Sequence, residues 1–352
     1  MPINSPLPND TRSKLADWVE VSCLSSPRRS ASRGNLLGIL DLLGEEERGT
    51  LDFDNTTGDA LEEEILENGR TAFADAVLDE LQFRADTLGG NYPFELLGRG
   101  ERWRLSRRQN TGTPTESAAQ SCYIFCLLVC AIRDHAIHGA DIAPIIQTMP
   151  NHFQWLAVEA AADVVSGNAY SFGFPRPNGV TFLQALAEMT NLLRVGQPLA
   201  NVPLWSNGRE KDAGIDVIAW RDFPDLRAGK LILVGQVASG NDWTGKSVKR
   251  DAPSFLSEWF SPRPTEHYVP AIFIPFPQHH NCEDRNDAEF EVVAREEARH
   301  REIEFGLVID RLRIVWAVAR RVAQGDNQGR AAGVERLNLW NQQALTVARA
   351  AA

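Results

Sequence analysis

The stretch GREKDAGIDVIAWRDFPDLRAGKLILVGQVASGNDWTGKSVKR, residues 208–250, decides the fold of this chain. It contains two short, nearly continuous apolar runs, AGIDVIAW and LILVGQVAS, joined by a turn with Pro224. Such β-branched runs are typical of strands buried on both faces of a sheet. A third run, VPAIFIPF at 269–276, predicts another core strand. The second half of the chain is therefore expected to contain a buried sheet.

Helical patterns surround these strands. HFQWLAVEAAADVVSG at 152–167 is amphipathic and ends at a glycine, and VTFLQALAEMTNLLRVGQ supplies a second helix. FGLVIDRLRIVWAVARRVA at 305–323 and VERLNLWNQQALTVARA at 334–350 are also predicted to be helical. Helices alternating with buried strands indicate an α/β or α+β domain over residues 150–352.

The first half of the chain has a different pattern. Residues 1–35 are loop-rich and are expected to be flexible, whereas 36–149 predicts a mainly helical recognition or partner domain. Its helices are followed by YPFELLGRGERWRLSRR, two short extended segments that resemble a winged-helix hairpin. The arginines of this hairpin suit either a phosphate contact or an exposed turn. The apolar segment 118–138 predicts a buried helix.

Charge is distributed unevenly along the chain. The 352 residues carry 36 Lys and Arg against 47 Asp and Glu, a net charge of -11, which argues against coating of nucleic acid or membrane by bulk charge. Residues 1–150 hold 23 acidic and 14 basic residues, so the first part accounts for -9 of the total. Residues 205–260, with eight of each sign, are neutral and contain four of the five lysines. A locally accessible phosphate site there remains compatible with the overall charge.

Targeting signals and cysteines point to a cytoplasmic protein without a membrane segment. The N-terminus has no basic-then-apolar signal pattern, and no uncharged apolar run reaches the roughly 18 residues of a membrane span. Three cysteines, Cys122, Cys126 and Cys130, recur on one face of a helix, which favours buried packing over a metal site. His279, His280 and Cys282 form either a zinc cluster or a polar loop.

Polar side chains lie at two adjacent strand ends of the opening stretch. Asp216 begins the first strand and Gln236 lies near the end of the second, so both are expected at one edge of the sheet. A carboxylate beside a backbone carbonyl supplies the hard oxygen ligands that Mg²⁺ prefers. Lys246, shortly after the second strand, could place an ammonium nearby to stabilise charge on a phosphate. The alternatives are an ordinary strand-end carboxylate for Asp216 and a buried, satisfied amide for Gln236.

These residues resemble the motifs of the PD-(D/E)xK nuclease superfamily, which has the restriction-endonuclease-like fold. Gly214-Ile215-Asp216 is similar to its first strand motif, and Gln236-Val237-Ala238 to the second in a Gln-variant branch. Glu159 resembles its helix acid, although a solvated helix charge is an equal alternative. The resemblance implies Asp216, Gln236, Glu159 and the Val237 carbonyl as ligands of Mg²⁺ or Mn²⁺. Because Ala238 stands where the family has its lysine, Lys246 is the implied substitute.

The resemblance implies a metal-dependent nuclease acting on DNA, similar to effector nucleases of bacterial antiphage and restriction systems. Asp216, Gln236, Lys246 and Glu159 would be its catalytic residues, and Lys249, Arg250 and Trp243 would contact nucleic acid. Trp243 has a second interpretation, packing against the helix that follows. A double-strand break needs an even number of active sites, which is compatible with a homodimer. The alternative function is a non-catalytic nuclease-fold subunit that binds a partner ATPase or helicase.

Overall fold

The chain divides into two units. Residues 1–145, 279–295 and 338–352 form the first, and residues 146–278 and 296–337 form the second. The computed structural model describes residues 4–6, 10–40, 59–109, 112–174, 176, 179–201, 203, 206, 211–225, 227–240, 242–278, 287–325 and 329–350, with the backbone only for 59–68, 140, 287–291 and 350. The boundary at 145/146 lies near the expected one at 150, but the assignment of later segments to the first unit differs from the expected linear division.

The first unit joins helices to a small antiparallel sheet with strand order β1-β3-β2. In chain order its elements are α1 (Arg12–Ser25), β1 (Ser30–Ser32), α2 (33–40), α3 (Asp59–Leu88), β2 (Phe94–Leu97), β3 (Arg104–Arg107) and α4 (Pro114–Arg133). The predicted hairpin is present as β2 and β3. The expectation of a flexible segment over 1–35 was wrong for residues 12–25, which form a largely buried helix.

An arginine buried in the first unit explains why α1 folds. Arg84 is fully buried on α3 and pairs with Asp17 at 2.6 Å, Glu20 at 3.2 Å and Glu80 at 2.7 Å. Two of these carboxylates lie on α1, so burial of that helix depends on a cation more than 60 residues away in the sequence. A buried charge is tolerated only when it is paired in this way.

The predicted helix over 118–138 is present as α4 and is buried. A capping box between Thr113 and Glu116 starts it. It is the one helix in the described part of the chain that is long and apolar enough to cross a membrane, but 83% of its apolar window is buried within the protein. The helix therefore has the burial of a core helix.

The second unit is built on a mixed five-stranded sheet with strand order β4-β5-β6-β7-β8. Strands β4 to β6 are antiparallel neighbours, and β7 and β8 are added parallel to β6. The elements are α5 (Ala143–Val164), β4 (Asn168–Ser171), α6 (Phe182–Leu193), β5 (Val217–Arg221), β6 (Leu231–Val237), α7 (Val248–Glu258), β7 (Val269–Phe273), α8 (Asp287–Phe305), β8 (Leu307–Ile309), α9 (Arg311–Ala323) and α10 (Arg330–Ala350). Residues 143–145 of α5, 287–295 of α8 and 338–350 of α10 belong to the first unit.

Burial of the central strands explains their sequences. The first four residues of β5 and residues 232–236 of β6 are buried, as the continuous apolar runs predicted. One face packs on α6 and α7, with Phe172, Phe182 and Trp259 among the buried side chains. The prediction of one helix over 305–323 was wrong for residues 307–309, which form β8. Asp310 then caps α9 by accepting from the Arg313 backbone N–H at 3.0 Å.

Candidate active site

Asp216 lies at the start of β5 and is fixed there mainly through its backbone. The preceding turn contains Gly214 at φ +79°, a left-handed conformation that favours glycine. The Asp216 N–H donates to the Gly235 carbonyl at 2.9 Å, which aligns it with β6. Its own carbonyl accepts from the N–H groups of Phe172 and Gly173 at 2.8 and 2.9 Å and from Gln154 Nε2 at 2.6 Å. The position of Asp216 is therefore set by α5, β4 and β6 together.

The Asp216 carboxylate is held in an environment that disfavours its charge. Oδ2 accepts from the Val237 backbone N–H at 2.8 Å. Burial raises the pKa of Asp216 to about 6, and the nearby Asp212 adds to the rise, while the Val237 hydrogen bond and the Lys246 charge oppose it. Retaining a carboxylate at such a cost is common where the group has a chemical role.

Lys246 contacts the same residue of β6. Its exposed side chain extends back so that Nζ donates to the Val237 carbonyl oxygen at 2.8 Å. Val237 therefore contacts Asp216 through its N–H and Lys246 through its carbonyl. Three residues that the sequence proposed for the site meet at one point at the end of β6.

Trp243 anchors the turn that carries Lys246. Its ring lies 5.1 Å from that of Phe305 and 6.1 Å from that of Phe276, and 4% of the residue is exposed. Arg301 covers the indole at 5.5 Å. Trp243 therefore acts as a packing residue, and the expectation that it stacks on a nucleic-acid base is not compatible with its burial.

Gln236 lies beside this point, but its amide points to α7. Nε2 donates to the Gly214 carbonyl and, at 2.8 Å, to Asp251 Oδ2. Its Oε1 is buried and accepts no hydrogen bond from the described protein groups. An orphaned buried amide oxygen is costly unless a water or a cation contacts it. Gln236 thus supplies one unused oxygen donor.

Glu159 is not brought to Asp216 by any contact in the structure. Its Oε2 pairs with Arg330 Nε at 3.0 Å and Arg321 Nε at 3.4 Å, which lie on α10 and α9. The residue of α5 that does contact Asp216 is Gln154. Since five positions along a helix turn the side chain through about 140° beyond a full circle, the two residues lie on different faces. The arrangement favours a structural ion pair for Glu159.

Lys249 and Arg250 lie on α7, close to the turn that carries Lys246. Lys249 Nζ donates to the Ile303 carbonyl, and Arg250 Nε donates to Asp251 Oδ1 at 2.9 Å. Arg250 keeps 65% of its side chain exposed. Both cations are surface groups whose present partners are a carbonyl and a neighbouring carboxylate.

Sequence reasoning missed Gln154 and Asp251. Gln154 lies in the same helical segment as Glu159, and its polarity beside buried Phe153 was the available signal. Asp251 lies in the first turn of α7, directly after Lys249 and Arg250, where its acidity was hidden in a mixed-charge run.

The oxygen donors at this edge of the sheet are Asp216, the Val237 carbonyl and Gln236 Oε1. The chemistry of these donors suits one hard divalent cation, since the set combines a carboxylate with two neutral oxygens. Among the described residues no group of three or more His, Cys, Asp or Glu is arranged to hold a metal. His279, His280 and Cys282 lie outside the described residues. No protein-family model, curated protein or solved structure matches the chain.

Proposed function

We propose that the chain is a metal-dependent nuclease that hydrolyses phosphodiester bonds in DNA. The observation that carries the proposal is that Asp216 and Lys246 both bind the backbone of Val237, with its N–H to Oδ2 at 2.8 Å and Nζ to its carbonyl oxygen at 2.8 Å. A carboxylate and an ammonium brought together at the end of a strand are the groups that phosphodiester hydrolysis needs for holding a cation and neutralising phosphate charge.

The topology of the second unit supports the same function. Its order of α5, β4, α6, β5, β6, α7 and β7, with three antiparallel strands followed by a parallel one, is compatible with a restriction-endonuclease-like core in which α6 is an additional helix. In the first unit, the order α1, β1, α2, α3, β2, β3 with sheet order β1-β3-β2 agrees with a winged-helix domain. Both likenesses concern fold, so the function rests on the site residues.

The residues have separate roles in the proposed reaction. Asp216, the Val237 carbonyl and Gln236 Oε1 would hold Mg²⁺ or Mn²⁺. Such an ion supplies Lewis-acid stabilisation of phosphate charge and a more acidic water. The exposed Lys246 side chain can leave the Val237 carbonyl and donate to a phosphate oxygen, which stabilises the charge that develops during attack. Trp243 keeps the turn of Lys246 in place.

The proposed setting is the bacterial cytoplasm, in antiphage defence or restriction. The first unit would act there as a recognition or partner-binding module. A homodimer would supply the two sites required for a double-strand break.

A cleavage assay tests the proposal. Purified protein with Mg²⁺ or Mn²⁺ is incubated with plasmid, linear duplex and single-stranded DNA, beside Asp216→Ala and Lys246→Ala. Each substitution should lower the rate by about 100-fold or more, because each removes a charged group that acts in the transition state. Asp225→Ala and Lys14→Ala are the matched controls. Absence of cleavage by the wild type on all substrates, or full activity of both site variants, would contradict the nuclease.

A second function, a non-catalytic nuclease-fold subunit of a partner ATPase or helicase, is favoured by two observations. Gln236 replaces an acid at the site, and the described residues form no three-member metal cluster. Calorimetric Mn²⁺ titration separates the two functions. Binding of one Mn²⁺ by the wild type that is lost in Asp216→Ala supports the nuclease. If the wild type and Asp216→Ala give the same titration curve, the result supports the non-catalytic subunit.

A further inference from the structure

A cleft of about 570 Å³ lies in the second unit, lined by residues of α5, the end of β4 and the start of α10. Gln154 belongs to its wall and also donates to the Asp216 carbonyl at 2.6 Å. Ser171, another wall residue, pairs with Val217, the residue after Asp216. The cleft therefore adjoins the candidate active site without containing its charged groups.

The charge of the cleft is positive. His152, Arg176 and Arg336 line it, and no Asp or Glu does so among the described residues, although the chain as a whole carries a net charge of -11. Arg176 is fixed by donating to the carbonyls of Phe172 and Val180, both at 3.1 Å. Arg336 is exposed, and burial, together with the Arg336 charge, lowers the pKa of His152, so the positive charge of the cleft comes from the two arginines and the neutral imidazole serves as a hydrogen-bond donor. Neighbouring cations without a lining carboxylate attract an anion.

The cleft also contains an aromatic surface. Trp155 is partly buried in its wall, and α10 approaches the indole closely at Gly333, where a Cβ atom would lie 2.3 Å from the ring. Glycine is thus required for the indole to keep its position. The volume falls within the range of sites for one small ring-bearing ligand and is too small for a duplex.

We propose that this cleft binds one nucleotide unit of a single DNA strand, with its phosphate at Arg336 and His152 and its base against Trp155. A strand leaving the cleft past Gln154 reaches Asp216 and Lys246, so the inference rests on the proposed nuclease and identifies where its substrate strand is held. Stacking on an aromatic side chain tolerates any base, and phosphate contacts carry no sequence information, so binding is independent of sequence.

Fluorescence anisotropy with a labelled oligo-dT of about eight nucleotides, within the usual site size of single-strand-binding grooves, tests the cleft. Asp216→Asn is the parent protein, since it prevents cleavage during the measurement. Arg336→Glu should weaken binding by about tenfold and reduce the slope of log affinity against log salt by about 1. Trp155→Leu should weaken binding by about fivefold or more.

Matched controls are Arg227→Glu and Trp316→Leu, which change exposed residues of the same unit outside the cleft. Both should bind oligo-dT like the parent. Arg336→Lys should retain most of the affinity because it keeps the charge at an exposed position. Near-UV circular dichroism verifies that Trp155→Leu is folded, and Arg336→Glu tests the cleft independently of that packing change. Parent-like affinity of both Arg336→Glu and Trp155→Leu overturns the cleft, and binding of oligo-U with no binding of oligo-dT overturns the assignment to DNA.

The two proposals fail in distinguishable ways. If Asp216→Ala and Lys246→Ala abolish cleavage while both Arg336→Glu and Trp155→Leu bind and cleave normally, the nuclease proposal is supported and the cleft proposal is contradicted. If the wild type never cleaves DNA but binds oligo-dT through Arg336 and Trp155, the cleft is supported as a binding site and the proposed nuclease activity is contradicted. Absence of both binding and cleavage overturns both.

Discussion

Replacement of Asp216 by asparagine should stabilise the protein while it removes the proposed activity. The pKa of Asp216 is raised from 3.8 to about 6, so the native state disfavours the ionised carboxylate relative to the unfolded chain. A difference of about 2 pKa units corresponds to about 3 kcal/mol, and the remaining solvent contact of the partly buried side chain reduces the expected gain to between about 1 and 3 kcal/mol. Asparagine keeps an oxygen that can accept from the Val237 N–H.

The gain should depend on pH in a defined direction. Well below pH 3.8 both folded and unfolded Asp216 are protonated, so the difference in stability between the wild type and Asp216→Asn should vanish there and should be small at pH 4. As the pH rises through 4 to 6, the unfolded chain releases its proton first, and the wild type loses stability that the variant keeps. The full difference is therefore expected at pH 8.

Urea unfolding of both proteins in EDTA, followed by tryptophan fluorescence at pH 4 and pH 8, measures this difference. The second unit contains buried Trp220 and Trp259, which report on its transition. Asp225→Asn, in the exposed β5–β6 turn, is the control and should change the free energy of unfolding by less than about 0.5 kcal/mol. A variant that is no more stable than the wild type at pH 8, or equally stabilised at both pH values, would refute the reasoning.

Three further substitutions test the packing around the two units. Arg84→Leu should destabilise the first unit by about 3–5 kcal/mol in urea unfolding, since it leaves three buried carboxylates without their cation, and exposed Arg28→Leu should have little effect. Trp243→Ala should lower the free energy of unfolding by about 3–5 kcal/mol and should lower the cleavage rate, because it releases the turn that carries Lys246. Trp316→Ala should change neither quantity. If Trp243→Ala leaves the free energy of unfolding unchanged, the packing role of Trp243 is contradicted. Gln236→Glu should destabilise the metal-free protein by about 1–3 kcal/mol, because the amide that donates to Asp251 becomes a second carboxylate. Added Mn²⁺ should restore the stability of this variant in calorimetry. If neither the substitution nor Mn²⁺ changes the stability, the result would argue against this geometry.

The central strands could be predicted from sequence because burial on both faces leaves a continuous apolar run, as in LILVGQV. Strand β8 could not, because its three residues are separated from an equally apolar helix only by Asp310. Pairing with β7 makes it a strand, and that partner lies more than 30 residues earlier. Helix α1 was hidden for a related reason, since its buried Asp17 and Glu20 look like surface charges until Arg84 is placed beside them.

The site was predictable where it depends on strand ends and unpredictable where it depends on helix rotation. Asp216 and Val237 come together because neighbouring strands bring their ends to one edge of the sheet. The choice between Glu159 and Gln154 depends on which face of α5 points toward β5. That face is set by Arg321 and Arg330, which are 162 and 171 residues away from Glu159. A single sequence contains no local signal for such a pairing.

The Val237 carbonyl links the position of Lys246 to the proposed cation. In the structure this oxygen accepts from the Lys246 ammonium, and the same oxygen is one of the three donors that suit a divalent ion. Two cations on one carbonyl oxygen repel each other, so the ammonium must move when an ion binds. Because the side chain is exposed and its turn is anchored by Trp243, the ammonium can move without loss of the turn. A phosphate placed beside the ion would then offer the Lys246 ammonium a new partner. Lys246 would therefore stabilise the ionised Asp216 carboxylate in the free protein and would contact the substrate only when a substrate is bound.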